Sequence, residues 1–88
     1  MTQTQSIPPR TADELRPLIR AVWERTLGHA EFTDDDPFMS VHGGHSLTAV
    51  QVMVELSQEL GTRLPVRLIM RHRTVTALAA AVSEQAAA

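Results

Sequence analysis

Apolar residues recur along this chain with the period of an α-helix, and no stretch alternates as a strand does. Leu15, Ile19, Val22, Trp23 and Thr26 fall at helical spacing, with Leu18 and Leu27 beside them. Thr11-x-x-Glu14 fits a capping box at the start of this run, and Gly28 is a stop. Pro17 lies inside it. A proline there removes the bond to residue 13 and crowds its carbonyl, so the regular helix is expected to begin nearer residue 14 or to kink. A second run extends from Ser46 to Leu60 and is closed by Gly61. Pro65 opens a short third segment through about Met70, since proline suits a first turn. Val75, Leu78, Ala79 and Val82 mark a last helix.

Between Gly28 and His45 no period survives. Gly, Asp, Pro and Ser residues predict a long loop there, with a short turn near Pro37–Val41. The pattern as a whole predicts an all-α fold: a small four-helix bundle with three longer helices and a short third. Its expected core is Leu15, Ile19, Val22, Trp23, Ala49, Val52, Met53, Leu56, Leu60, Ile69, Val75, Leu78 and Val82. Aromatic residues are only 3% of the chain, so aliphatic packing should dominate. Residues 1–10, with Pro8 and Pro9, read as a flexible arm or linker; residues 11–84 form the domain; the alanine-rich end, 85–88, is expected to fray.

The second helix has more apolar surface than a core needs. At roughly 100° per residue, Val52, Leu56, Leu60 and Met53 cluster about Ala49 as one stripe. Leu47, Val50 and Val54 gather separately, and Ser46 lies between the two stripes at the helix start. Two readings follow. The second stripe is a wide core face covered by the long loop, or it is an exposed patch where other proteins dock.

Composition narrows the class. With no cysteine there is neither a disulfide nor a Cys-based zinc site. The first ten residues lack the apolar core of a signal peptide, and no run approaches membrane-spanning length, so a soluble, cytoplasmic monomer is expected. A net charge of −2 argues against a nucleic-acid partner. The charge is nevertheless segregated. Glu31, Asp34, Asp35 and Asp36 form an acidic stretch, while Arg63, Arg67, Arg71 and Arg73 follow with no acid among them. These are solvated faces or docking electrostatics for protein partners.

Gly43-Gly44-His45-Ser46-Leu47 runs directly into the second helix. A serine at that point is ordinarily an N-cap. The same position also suits a covalently attached phosphate, because the first N–H groups of a helix lack internal partners and carry partial positive charge. The two glycines would let a modifying enzyme come close to the hydroxyl. This motif, with an acidic loop and a phenylalanine before it and an amphipathic helix after it, resembles the carrier (thiolation) domains of nonribosomal peptide synthetases. The resemblance extends over about residues 9–83. Pro9-Arg10-Thr11, Val22-Trp23, Leu27-Gly28, Leu60-Gly61, Leu64-Pro65-Val66, Thr74-Val75 and Ala77-Leu78-Ala79 are all similar to the corresponding stretches of that family.

The resemblance implies a peptidyl carrier protein without catalytic residues. A phosphopantetheinyl transferase would place 4′-phosphopantetheine on Ser46, and the arm's thiol would hold an aminoacyl or peptidyl thioester. An adenylation domain would load it, and a condensation or tailoring enzyme would receive the cargo. Gly44, His45, Leu47, Val50 and Val54 would form the partner face. Three departures stand out. His42 is one extra residue before the glycines, Arg73 stands where proline is common, and Pro17 is unusual in the first helix.

Other readings fit less well. An acyl or aryl carrier of polyketide or siderophore-type assembly remains the alternative within carriers; His45 in place of Asp, and only Glu55 and Glu59 on the second helix, favour a peptidyl carrier. A serine hydrolase would need the second glycine of Gly-x-Ser-x-Gly, and Thr48 stands there. His42 and His45 offer two metal ligands, but loop histidines are commonly solvated, and no metal is expected. A helix-turn-helix DNA binder could use the four late arginines, but its recognition helix would be very short.

Overall fold

The structure, a computed structural model, describes residues 10–87. Four α-helices follow in order: α1 (Ala12–Leu27), α2 (Ser46–Leu60), α3 (Arg67–Arg71) and α4 (Val75–Ala87). A 3-10 turn, Phe38–Ser40, interrupts the long loop between α1 and α2, and there is no strand among the described residues. The arm expected at residues 1–10 lies, but for Arg10, outside the described residues, as does Ala88. Helical backbone continues to Ala87, past residue 84 where the sequence pattern ends the domain.

Both halves of the expected capping box at the start of α1 are present. Glu14 N donates to Thr11 Oγ1 at 3.2 Å, and Thr11 N donates to Glu14 Oε1 at 2.8 Å. The helix therefore begins at Ala12 and contains Pro17, against the expectation of a start near residue 14. The cap anchors the first turn, and the buried stripe Leu15, Ile19, Val22 and Trp23 holds the rest against the bundle, so one missing backbone bond at an exposed proline is tolerated. Gly28 and Gly61 end α1 and α2 in the left-handed C-cap conformation.

The helical bundle packs chiefly through α1, which meets α4 most extensively and α2 next. α4 runs back along α1: Thr76 N donates to Asp34 O at 3.1 Å near the start of α4, while Ser83 Oγ donates to Arg10 O at 3.0 Å near its end. Every residue of the expected core is buried except Leu60, which sits half-buried at the margin. The core also takes in Phe32, Phe38, Val41, Leu64, Leu68, Ala79 and Ala81. All three aromatic residues of the chain meet in it. Trp23 lies 4.8 Å from Phe38 edge to face and 5.7 Å from Phe32, centroid to centroid. The loop thus supplies the aromatic part of a core that composition alone assigns to aliphatic side chains.

Arg20 pins that loop to α1. Its guanidinium lies over the Phe32 ring at 4.3 Å and donates to Asp34 Oδ1 (3.1 Å), Ala30 O (3.0 Å) and Phe32 O (2.7 Å), while Nε donates to Glu24 Oε2 (3.0 Å). Only the planar fork of arginine reaches so many acceptors at once. Arg20→Lys is therefore expected to lower stability by roughly 1–3 kcal/mol in urea denaturation, because loop carbonyls lose their donors while the charge is kept.

Candidate functional site

The serine motif is built on a turn that the loop's packing dictates. Phe38 buries its ring on Trp23, its N–H donates to Arg73 O at 2.7 Å, and its carbonyl accepts from Val41 N at 3.1 Å. Val41 then opens a tight turn closed by Gly44 N donating to Val41 O at 2.8 Å. The third residue of that turn, Gly43, has φ +89°, a conformation L side chains rarely adopt. The extra residue His42 is accommodated as the second residue of this turn. Gly44 packs hard against the Phe38 backbone: a Cβ at this position would drive into the Phe38 carbonyl oxygen and lie 3.0 Å from Val41 O. The two glycines are thus required by the turn itself, apart from any modifying enzyme.

The residue that caps α2 is His45, in extended conformation at φ −155°, and Ser46 is the first helical residue. The helix starts at Ser46 as the spacing predicts, and of the two readings of the serine the ordinary N-cap does not hold. The capping hydroxyl is supplied by Thr48 instead. Its Oγ1 accepts from His45 N at 2.9 Å and lies 2.9 Å from both Gly43 O and His45 O, to either of which it donates its single proton. Sequence reasoning gave Thr48 no such role; the signal for it is a threonine three residues after the cap. With capping delegated, Ser46 is exposed, and among the described residues no hydrogen bond engages its hydroxyl.

The first intrahelical bond of α2 is Ala49 N to His45 O at 2.9 Å, so the N–H groups of Ser46, Leu47 and Thr48 precede the ladder. A phosphate ester on Ser46 Oγ would meet this amide-rich end of a 15-residue helix, where an anion is favoured. The turn therefore fits a phosphate-linked group.

Beside Ser46 the second stripe of α2 faces solvent: Leu47 is 62% exposed, Val50 40% and Val54 50%. The reading of a wide, loop-covered core face does not hold. Val66 and Met70 on and beside α3, and Met39 in the 3-10 turn, are exposed as well, which the sequence pattern did not single out. Met39, Ile69, Met70 and Arg73 line a shallow open hollow. Glu55 and Glu59, the acids of α2, turn instead toward α1, where Arg25 lies 2.9 Å and 3.8 Å from their carboxylates.

The other candidate groups are dispersed. Asp36, of the acidic stretch, accepts from Thr33 N at 2.8 Å within its own turn. His29, distant in sequence, comes to His42, with ring centroids 5.9 Å apart. No group of three or more His, Cys, Asp or Glu side chains among the described residues could hold a metal ion. Arg63, Arg67, Arg71 and Arg73 are exposed and form no ion pair among the described residues. α3 has five residues, too few for a helix that reads a DNA groove.

A helical bundle that frees one serine hydroxyl at a helix start, with aliphatic side chains left in water beside it, has the form of a carrier for a covalently attached group. Residues 17–82 match the family described as "Phosphopantetheine attachment site", whose members carry 4′-phosphopantetheine covalently. The chain belongs to this family of carrier domains. It is similar to a stretch of phosphinothricin tripeptide synthetase PhsC of Streptomyces viridochromogenes, 35% identical over 79 residues, covering 90% of this chain and 7% of that protein. Tyrocidine synthase 2 of Brevibacillus parabrevis is 35% identical over 81 residues, 92% of this chain and 2% of that one. Surfactin synthase subunit 3 of Bacillus subtilis is 34% identical over 74 residues, 84% of this chain and 6% of that one. The chain thus spans only a small fraction of the length of these relatives. The fold is also similar to that of BlmI, a type-II acyl-carrier-protein from Streptomyces verticillus, with TM-score 0.77 and 24% identity over 84% of this chain and 88% of that one. The resemblance to thiolation domains, first carried by the serine motif, holds across most of the chain. Among the described residues no helix is long and apolar enough to cross a membrane.

Gly44→Ala should destabilise the fold by roughly 1–3 kcal/mol in urea denaturation, since the added methyl has no space beside the Phe38 carbonyl.

Proposed function

We propose that Ser46 is the residue that takes the 4′-phosphopantetheine and that the domain is a cytoplasmic, monomeric peptidyl carrier of nonribosomal peptide assembly with no catalytic residues of its own. The observation that carries this reading is the free, exposed hydroxyl of Ser46 on the first residue of α2, inside the matched family region. In the transfer from coenzyme A, Ser46 Oγ forms the new phosphoester bond, the pyrophosphate bond of coenzyme A breaks, and 3′,5′-adenosine diphosphate leaves. The hydroxyl proton passes to a base of the phosphopantetheinyl transferase, since no imidazole or carboxylate of this chain is hydrogen-bonded to Ser46 among the described residues. The bound group supplies a terminal thiol that holds an aminoacyl or peptidyl unit as a thioester.

This chain's own part is orientation and recognition. The turn from Val41 to His45 sets the direction of the hydroxyl, and the amides at the start of α2 hold the phosphate. Gly44 and His45, with Leu47, Val50 and Val54, form the face met by the transferase, by an adenylation domain that loads the thiol and by a condensation or tailoring enzyme that unloads it. Three exposed aliphatic side chains suit a small, transient interface.

Incubation with coenzyme A and a promiscuous phosphopantetheinyl transferase should add one phosphopantetheine, read by intact mass, and Ser46→Ala should add none. An unchanged mass for the wild type with an active transferase refutes the reading. Leu47→Asp and Val50→Asp should each lower kcat/KM for loading of the holo protein about tenfold, the order expected for truncating an interface anchor, with the circular dichroism spectrum unchanged.

A further inference from the structure

The arginines of the bundle fall into two groups. Those of α1 are all paired: Arg16 with Asp13, Arg20 with Glu24 and Asp34, and Arg25 with Glu55 and Glu59. The four around α3, Arg63, Arg67, Arg71 and Arg73, are exposed and meet no carboxylate among the described residues. No acid lies near them in sequence either, since residues 60–83 hold neither Asp nor Glu. Arg67 and Arg71 stand four residues apart on α3, where like charges face each other and disfavour the helix. An apolar row runs beside them. Val66 and Met70, also four apart, are exposed, while Leu68 and Ile69 turn the remaining side of α3 into the core. Met39 of the 3-10 turn joins this row, because Met39, Met70 and Arg73 line one shallow hollow. Phe38 N donates to Arg73 O at 2.7 Å, so the turn and the α3–α4 junction form one surface. The carbonyl of the same Phe38 abuts Gly44, which sets that surface next to the start of α2.

We propose that the α3 face is a second docking surface, distinct from the strip of Leu47, Val50 and Val54. Its occupant is a protein surface whose Asp and Glu side chains surround a small aliphatic contact. Charge complementarity points to that occupant. Four guanidiniums without an internal acid call for carboxylates from outside, and the arginine fork takes a carboxylate in two parallel bonds. Met39 and Met70 add flexible apolar contact that adapts to its partner. A nucleic acid fits less well. The net charge of −2 opposes a phosphate backbone beyond the patch itself. The chain's aromatic residues, Trp23, Phe32 and Phe38, are all buried, so no ring is left for a base to stack on. An anionic membrane fits less well too, since α3 has five residues and no exposed aromatic ring anchors it. The two surfaces then differ in task. The α2 strip gives burial without direction, whereas the arginines choose among partners, drawing acidic surfaces in and penalising basic ones.

The test titrates the isotope-labelled full chain by NMR with a synthetic amphipathic helix of roughly 18 residues, or about five turns. The peptide carries Leu on one face and Glu on the others; separate arms use its analogue with Gln in place of every Glu, a DNA duplex, and phosphatidylserine vesicles. The acidic peptide should shift the amides of residues 63–73 and the methyl signals of Met39 and Met70. Raising NaCl from about 0.01 M to about 0.1 M shortens the screening length from about 30 Å to about 10 Å and should weaken this binding about fivefold. The double variant Arg67→Gln, Arg71→Gln should bind about fivefold more weakly at low salt, the order of two rim ion pairs, and should approach the wild type at high salt. Its urea midpoint should not fall, since the charges removed repel each other. Met70→Ala should weaken binding by the same factor at both salt concentrations. Equal binding of the Gln analogue, unchanged binding by the double variant, or no binding of the acidic peptide would overturn the proposal. Tighter binding of DNA or vesicles than of the acidic peptide would overturn it in favour of that partner. None of these readouts involves Ser46, so a failed transfer of phosphopantetheine would sink the carrier reading and leave this surface as it stands.

Discussion

The contact on which the serine's presentation depends is that of Phe38 with the core and with Gly44. Its ring is fixed edge to face on Trp23, its N–H is bound to the α3–α4 junction through Arg73 O, and its carbonyl closes the 3-10 turn. The same carbonyl leaves no room for a side chain at Gly44. A single loop residue thus transmits the rigidity of the core to the turn that carries Ser46. Burial of an aromatic ring is worth far more than the hydrogen bonds of an exposed turn, which is why the turn inherits its geometry from packing. Arg20 completes the arrangement from the other side, holding Phe32 and the acidic stretch to α1.

α2 divides its surface between two tasks. Ala49, Val52, Met53 and Leu56 are fully buried and supply its share of the core, while Leu47, Val50 and Val54 remain in water. Its acidic residues are drawn toward Arg25 on α1. The consequence is an aliphatic strip next to Ser46 without a carboxylate of α2 on it. Such a strip adds nothing to the stability of the isolated domain, and a partner that covers it gains the apolar burial.

Much of this was legible in the sequence because helical periodicity reports on burial directly. The limits of α2, the capping box of α1 and the two stripes around Ser46 all follow from spacing, since each depends on residues one or two turns apart. Contacts made across the loop were not legible. Phe32 and Phe38 carry no periodic signal, and their burial depends on Trp23, many residues earlier. Pro17 suggested a later helix start because the local cost of a missing bond is evident in sequence, whereas the tertiary burial that offsets it is not. Spacing could not say whether His45 or Ser46 is the cap, a one-residue difference that decides whether the serine's hydroxyl is occupied or free. The capping role of Thr48 was not legible because its partners are backbone atoms, which carry no residue-type signature.

The bond between Ser83 and Arg10 has a mechanical consequence. It sets the polypeptide's entry beside the late turns of α4, whereas Gly43 touches Leu27 at the far end of α1, roughly 24 Å of helix away at 1.5 Å per residue. The backbone therefore comes in and goes out at one pole, and the serine occupies the other. A tether attached at the first pole would hold the bundle as a bead held from behind, with the Ser46 hydroxyl on the side turned away from it.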